Sequence, residues 1–272
     1  MICIEDIHYK YAGSKKPVFD GLSLQLEENN IYGLLGKNGM GKSTLLYLIC
    51  GLLFPQRGRV TVDGADTRKR LPSMLEELFI VPEEYDLPRM SMKEMTRMYQ
   101  DFYPRFSEAV MHQCLDEFEL ERDIRPQALS MGQKKKVFMS LALAANTRYL
   151  FMDEPTNGLD IPSKVLFRKV VAGHMTDDRL MIISTHQVHD VESLLDHLLL
   201  LDQSEIVLNE SVGDITSRYD FGFSAQPATE GVLYSEPSLQ GMATITRHEE
   251  GTDETPLNLE LLFNAVTKGG LR

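Results

Sequence analysis

The segment GKNGMGKST, from Gly36 to Thr44, constrains the fold of this chain more than any other. It matches the pattern G-x-x-x-x-G-K-[ST], with Gly36, Gly41, Lys42 and Ser43 at the required offsets. The apolar run IYGLL precedes it, and TLLYLICGLL, which has helical character, follows it. A glycine-rich loop between a strand and a helix turns backbone N–H groups and a helix N-terminus toward an anion. The segment therefore predicts a nucleotide phosphate site.

The loop also assigns roles to its residues. Lys42 can reach the β- and γ-phosphates, and the Ser43 hydroxyl can bind Mg²⁺. Asn38, Gly39 and Thr44 are predicted to contact the nucleotide with the rest of the loop. A plain glycine-rich turn is the alternative, but both the pattern and its strand–helix context argue against it.

A second apolar run ends in two acidic residues. In YLFMDEP the apolar residues 149–152 end at Asp153, and Glu154 follows. The carboxyl ends of parallel strands are where open α/β sheets bind ligands. Asp153 is therefore predicted to hold Mg²⁺, and Glu154 to polarise the attacking water as a general base. A simple strand-end turn is the alternative.

Apolar strand patterns and helical patterns alternate along most of the chain, which predicts a mostly parallel sheet. Residues 1–30 predict antiparallel hairpin strands, and the segment from about 84 to 145 predicts a helical subdomain. The segment VHDVESLLD, after His186, predicts a further helix. The fold class is therefore α/β, a P-loop NTPase core with an N-terminal antiparallel β subdomain and a helical insert. We expect a domain over 1–212 and a small C-terminal extension over 213–272, which closes with a helix over 258–268.

Charge and cysteine content narrow the function classes. The net charge is −12, with 40 acidic against 28 basic residues, so the field of the whole chain repels nucleic acid. Cys3, Cys50 and Cys114 are few and widely spaced, as expected for reduced thiols in a cytosolic protein. The N-terminus MICIEDIHYK predicts no signal peptide. The most apolar run, LLDHLLLLD, is shorter than the ~20 residues that span a bilayer.

These motifs, in their order along residues 1–210, resemble the ATP-binding cassette ATPases of ABC transporters. GKNGMGKST is similar to the Walker A loop, LSMGQKKKV to the signature usually written LSGGQ, and YLFMDEP to Walker B. NGLD (157–160) resembles the D-loop, and STH ends at the switch histidine, His186. Tyr11 stands where the family has an aromatic residue that stacks on adenine. The resemblance implies that His186 contacts the γ-phosphate and orients the water with Glu154.

The signature has a physical interpretation of its own. Ser130 and Gln133 form an S-x-x-Q capping box, which predicts that a helix begins here. Lysines in its first turn, 134–136, oppose the helix dipole unless an anion lies at the N-terminus. A lysine-rich solvated helix face is the alternative. The apolar face of this helix is predicted to contain Val137, Phe138, Leu141 and Ala144.

The resemblance implies that the N-terminus of this helix, with Ser130, Gly132 and Gln133, binds the γ-phosphate of an ATP held by a second cassette. Two residues depart from the family pattern. Met131 replaces the first glycine of the signature, and Glu83 replaces a glutamine that lies near Mg²⁺. Glu83 is predicted as a further Mg²⁺ ligand that alters the Mg²⁺ dependence. A solvent-facing loop acid is the alternative.

The sequence therefore predicts an ATPase subunit that uses ATP and Mg²⁺ and powers a separate integral membrane permease. It is expected to act as a head-to-tail homodimer, without nucleic acid, as a cytoplasmic protein on the inner face of the membrane. The runner-up is a soluble cassette ATPase of translation or DNA maintenance, and a P-loop kinase or GTPase would leave the signature unexplained.

Four residues are predicted as core, or in part as a groove for a permease helix: Met95, Met98, Phe102 and Phe106.

Overall fold

Strands and helices follow one another as the sequence pattern predicts. A computed structural model describes residues 1–224, 231–249 and 251–271. The elements in chain order are β1 (Ile2–Tyr9), β2 (Phe19–Leu26), β3 (Asn30–Leu35), α1 (Lys42–Ile49), β4 (Arg57–Val62), β5 (Ala65–Asp66), α2 (Pro72–Leu75), β6 (Leu78–Val81), α3 (Met92–Phe102), α4 (Glu108–Glu117), α5 (Met131–Ala144), β7 (Tyr149–Asp153), α6 (Ile161–Gly173), β8 (Leu180–Thr185), β9 (His197–Asp202), β10 (Glu205–Ser211), α7 (Val212–Thr216), β11 (Tyr219–Ser224), β12 (Val232–Ser238), β13 (Gly241–Arg247) and α8 (Leu259–Thr267).

The N-terminal strands form an antiparallel sheet in the order β2-β1-β4-β5. Along β2, buried Phe19, Leu22, Leu24 and Leu26 are separated by exposed residues, because alternate side chains of a strand point to opposite faces. The strands β4 and β5 are joined by a turn at Asp63 and Gly64, both with positive φ. The predicted antiparallel N-terminal part is confirmed.

The central sheet has the order β10-β9-β3-β8-β7-β6, and among the described strands only β10 runs antiparallel. All residues of β7 and β8 are buried, as is typical of parallel strands with both faces covered. The predicted mostly parallel sheet is confirmed. Because β3, β7 and β8 are adjacent and parallel, the segments that follow Leu35, Asp153 and Thr185 leave the same edge of the sheet.

Three helices, α3, α4 and α5, form the helical part between β6 and β7. Helix α3 is capped by Ser91, which forms a capping box with Glu94. Helix α4 packs against α5 through a shared apolar core. Met95 is fully buried there, whereas Phe102, the last residue of α3, is 69% exposed. Met98 and Phe106 lie between these extremes. The interpretation as core therefore holds for Met95 and not for Phe102, which ends its helix in an exposed position. For Phe102 the alternative of a groove residue stays a prediction.

The segment after His186 corrects one sequence expectation. VHDVESLLD, predicted as a helix, instead forms two short 3₁₀ turns at Val188–Asp190 and Glu192–Leu194. This connection must return along the length of the sheet to start the parallel strand β9. A 3₁₀ path rises about 2.0 Å per residue against about 1.5 Å for an α-helix, so it covers the distance with fewer residues.

The C-terminal part consists of an antiparallel sheet in the order β11-β13-β12 and the helix α8. The helix is capped by Asn258 and buries Leu259, Leu261, Leu262 and Ala265. It packs on β12 and β13 and on the 3₁₀ turn after His186. The predicted closing helix is confirmed. No helix among residues 1–224, 231–249 and 251–271 is long and apolar enough to cross a membrane.

Candidate functional site

The loop between β3 and α1 has the backbone geometry that its glycines permit. Gly39 and Gly41 have φ values of 81° and 105°, a region that side chains disfavour. A Cβ on Gly41 would lie 2.6 Å from Val18, and one on Gly36 would lie 2.7 Å from the carbonyl of Leu201. Since Gly41 caps α1 without a side chain, the first-turn N–H groups of α1 face the loop.

Lys42 lies across this loop. Its side chain is only 6% exposed, and Nζ donates to the carbonyl of Gly36 at 2.7 Å. The same atom is 3.4 Å from the carbonyl of Lys37 and 3.6 Å from Oε1 of Glu154. The ammonium therefore lies between loop carbonyls and a carboxylate, where a phosphate oxygen could replace one of these partners.

Asp153 is buried at the carboxyl end of β7, where Ser184 of β8 donates its hydroxyl to Oδ1. Ser43 lies in the first turn of α1, directly after Lys42, and is partly exposed. Hydroxyl and carboxylate oxygens are the hard donors that Mg²⁺ prefers. The donor chemistry of Ser43 and Asp153 therefore suits Mg²⁺.

Glu154 is fixed from several sides. Its backbone has φ +47°, an unusual value for a residue with a side chain, and its N–H donates to the carbonyl of Ser184 at 2.9 Å. Oε2 accepts from the hydroxyl of Thr185 at 3.1 Å, and Oε1 lies 2.8 Å from Nδ1 of His186. The structure thus brings together Lys42, Glu154 and His186, which come from three separate segments.

Tyr11 reaches the same helix from the N-terminal sheet. Its hydroxyl lies 3.0 Å from the hydroxyl of Thr44, and its ring meets that of Tyr9 edge-on at 5.0 Å. The residue is 43% exposed, so one part of the ring remains accessible beside α1. Asn38 and Gly39 are exposed on the loop itself.

The signature residues begin α5 as the capping box predicts. Gln133 donates its N–H to Oγ of Ser130 at 3.3 Å, and its Oε1 accepts the N–H of Ser130 at 3.0 Å. Met131 is 77% exposed at the first helical position. Of the described residues, none of the phosphate loop forms a hydrogen bond or ion pair with Ser130, Gly132 or Gln133. Within one chain, the predicted phosphate loop and the signature residues therefore form two separate groups.

The lysines of this helix do not all lie on a solvated face, which was the alternative interpretation. Lys135 is buried, and its Nζ donates to the carbonyls of Glu154 and Asn157, both at 2.9 Å. Sequence reasoning missed this residue, although helical spacing places it in line with Met139 and Ala142 on the buried face. The Nζ atom of Lys136 lies 3.5 Å from the carbonyl oxygen of Phe118.

Glu83 is exposed in the loop after β6, and its Oε1 accepts from Nδ2 of Asn157 at 3.0 Å. One carboxylate oxygen is thus bonded to the turn that follows Glu154. The role of Glu83 as an Mg²⁺ ligand stays a prediction.

The C-terminal helix borders the same region. A cavity of about 450 Å³ is lined by Gly36, Lys37 and His186 on one side, and by Glu260 and Phe263 of α8 on the other. Two contacts attach the helix to the loop after His186. Nε2 of His189 lies 2.8 Å from Oε2 of Glu260, and the N–H of Leu259 donates to Glu192 at 2.8 Å. The sequence of this extension carries no motif that indicated the contact.

Comparison with known proteins agrees with this geometry. The ABC transporter family model matches residues 19–157, which include the phosphate loop, the signature and Glu154. The ABC transporter ATP-binding protein NatA of Bacillus subtilis is 29% identical over 230 residues, which is 81% of this chain and 92% of NatA. The Nod factor export ATP-binding protein I of Rhizobium etli is 32% identical over 193 residues, 69% of this chain and 61% of that protein.

Solved structures show the same fold. An ATP-binding subunit of an ABC transporter superposes with a TM-score of 0.70 at 24% identity, covering 79% of this chain and 91% of that one. A dimeric ATP-binding cassette in a post-hydrolysis state, bound to ADP and Pi, gives a TM-score of 0.68 at 21% identity, covering 78% and 99%.

The predicted fold is confirmed by these structures. The relatives favour the predicted transport function over the soluble alternative in translation or DNA maintenance. The family model also spans half of the chain, and its range includes both residues 36–44 and residues 130–133. The chain therefore belongs to the ABC transporter family, as an ATP-binding cassette subunit that hydrolyses ATP to power transport.

Proposed function

We propose that two copies of this chain enclose two ATP molecules head to tail, and that Lys42, Glu154 and His186 carry out hydrolysis at each site. One observation carries the proposal. The same carboxylate oxygen, Oε1 of Glu154, lies 2.8 Å from Nδ1 of His186 and 3.6 Å from Nζ of Lys42. A general base beside a phosphate-binding lysine is the arrangement that activation of water at a γ-phosphate needs.

Nucleotide contacts come from both halves of the composite site. Residues 36–44 wrap the phosphates with backbone N–H groups, and the exposed ring face of Tyr11 stacks on adenine. From the partner, the N-terminus of α5 with Ser130, Gly132 and Gln133 faces the γ-phosphate. A helix N-terminus favours an anion, which also relieves the conflict between the helix dipole and lysines of the first turns.

Ser43 and Asp153 would hold Mg²⁺, whose charge offsets that of the β- and γ-phosphates. The support is the donor chemistry, a hydroxyl at the start of α1 and a buried carboxylate at the end of β7. Glu83 is a further predicted ligand, through the oxygen that does not accept from Asn157.

The reaction uses side chains already in place. Glu154 accepts a proton from water as the water oxygen bonds to the γ-phosphorus, and the bond to the bridging oxygen breaks with its electrons on ADP. Thr185 and His186 hold the two oxygens of this carboxylate, at 3.1 and 2.8 Å. Lys42 stabilises the charge that spreads over the γ-phosphoryl oxygens.

The cassette dimer drives an integral membrane permease from the cytoplasmic face of the membrane, in an exporter-type system. The names of relatives support this assignment, since one serves Nod factor export and another linearmycin resistance. The exposed Phe102 at the end of α3, with the partly exposed Met98, offers an apolar surface to a permease helix.

Glu154→Gln tests the base. This variant keeps the shape of the side chain but does not accept the proton, so turnover should fall at least ~10²-fold while ATP binding persists. Size-exclusion chromatography with ATP should then show an accumulated dimer. Glu121→Gln, at an exposed position in the loop after α4, is the matched control. Normal turnover of Glu154→Gln would remove Glu154 as the base.

A further inference from the structure

Lys135 joins the signature helix to the turn that carries Glu154. It lies four residues after Met131 on α5 and is only 5% exposed. Its Nζ donates to the carbonyls of Glu154 and Asn157, both at 2.9 Å. The same turn is closed by the N–H of Asn157, which donates to the carbonyl of Glu154 at 3.2 Å. Lys135 therefore binds both ends of the turn.

The turn needs such a support because its backbone is strained. Glu154 has φ +47°, which persists in a residue with a side chain only where the surroundings fix it. From one side, β8 accepts the N–H of Glu154 through Ser184. From the other side, Lys135 holds the carbonyl of the same residue. The peptide groups on both sides of the Glu154 Cα are thus held by different elements.

The charges around Lys135 explain how an ammonium group is tolerated in this position. Burial lowers the pKa of Lys135, while the nearby carboxylates of Glu83, Glu154 and Asp153 favour the charged form and act in the opposite direction. Glu83 is also tied to the turn through Asn157. The acid that departs from the family pattern therefore lies beside the cation that holds the turn.

We propose that Lys135 is a positioning residue, which fixes Glu154 for hydrolysis and couples it to the helix whose first turn faces the ATP of the partner. This inference rests on the proposed roles of Glu154 and of the signature. Since only one helical turn separates Met131 from Lys135, a shift of the helix N-terminus on ATP binding reaches the main chain of Glu154 directly. Each nucleotide site thereby influences the other.

Substitution of Lys135 by Met removes the charge and both donated hydrogen bonds while keeping a long side chain. A small displacement of a base is enough to lower turnover, so kcat should fall at least ~10-fold, with Kd for ATP within ~2-fold. The matched control is Lys136→Met on the same helix. Lys135→Arg keeps the positive charge and the hydrogen-bond donors, so it should recover part of kcat. If Lys135→Met does not fold, Lys135→Gln is used in its place. Equal turnover of Lys135→Met and Lys136→Met, or a loss of ATP affinity equal to the loss of kcat, overturns the proposal.

Mixed dimers separate the two halves of the site. One copy carries Glu154→Gln, so that a single active base remains in the other copy, and Pi release is measured in one turnover. Lys135→Met in the copy with the intact Glu154 should slow this turnover, and the same change in the Glu154→Gln copy should have a smaller effect. An equal effect from either copy, or a larger one from the Glu154→Gln copy, contradicts the assignment. Normal turnover of the Glu154→Gln homodimer would instead contradict the proposed base, whatever the Lys135 variants do.

Discussion

The two halves of the nucleotide site differ in how much of their structure the chain supplies itself. The half around Lys42 and Glu154 is buried and connected by hydrogen bonds between β3, β7 and β8. The signature half is bonded to itself through Ser130 and Gln133, and Met131 at its tip is largely exposed. The first half is therefore preorganised within one chain, whereas we propose that the second half acquires its ligand only when two cassettes close.

In the proposed dimer, this difference links ATP to pairing of the subunits. A ligand shifts an equilibrium only by its difference in affinity between the two states. If the phosphate loop contacts ATP in the open and the closed state, as we propose, it contributes affinity. If the signature contacts ATP in the closed state alone, it contributes to closure. Variants of the two halves should accordingly affect different measurements.

Lys42→Ala should have the largest effect, because it disrupts the preorganised half. The substitution removes the buried ammonium beside Glu154 and the loop carbonyls, so both nucleotide affinity and hydrolysis should fall, with kcat/KM reduced at least ~10²-fold. Isothermal titration with ATP and a phosphate-release assay measure the two effects. Lys15→Ala, at an exposed position before β2, is the control. Unchanged kinetics would refute the phosphate-site assignment.

Ser130→Asp should have an intermediate effect, and it should leave the open state intact. Asp caps a helix as well as Ser does, so the thermal midpoint should stay within a few degrees of that of the parent protein. The added carboxylate would face the γ-phosphate of the partner, and repulsion at close range should weaken ATP-dependent dimerisation at least ~10-fold. Analytical ultracentrifugation with ATP in the Glu154→Gln background measures this. Dimerisation equal to that of the parent would show that Ser130 does not face the nucleotide.

The same contrast separates what the sequence predicted from what it did not. The phosphate loop and the capping box at Ser130 were predictable because their residues lie within a few positions of one another, where spacing alone fixes the geometry. Lys135 was missed because its partners are main-chain carbonyls 19 and 22 positions away, which no side-chain pattern marks. The contact of Glu260 with His189 spans 71 positions and depends on how the C-terminal sheet packs.

The 3₁₀ turns after His186 show a further limit of local reasoning. Buried Val191, Leu194 and Leu195 have helical spacing, so the pattern predicts a helix. The connection has to reach the start of β9, whose place depends on the strand order of the central sheet, and local spacing does not contain that order. Local patterns therefore predicted which residues form the candidate site, while the path of the chain around it depends on the strand order.

Of the substitutions at Lys42, Ser130 and Met131, Met131→Gly should have the smallest effect. It tests whether the Met131 side chain limits how closely the partner cassette approaches the signature. The change restores the glycine of the usual signature and removes an exposed side chain from the first position of α5, at a cost of ~1 kcal/mol or less to the helix. If the Met131 side chain stands in the way of the partner, ATP-dependent dimerisation in the Glu154→Gln background should strengthen by ~2- to 5-fold. We expect this outcome because a first-turn side chain stands beside the N–H groups that would face the anion. Weakening by more than ~10-fold would contradict it, since that is the size expected if Met131 buries apolar surface against the partner.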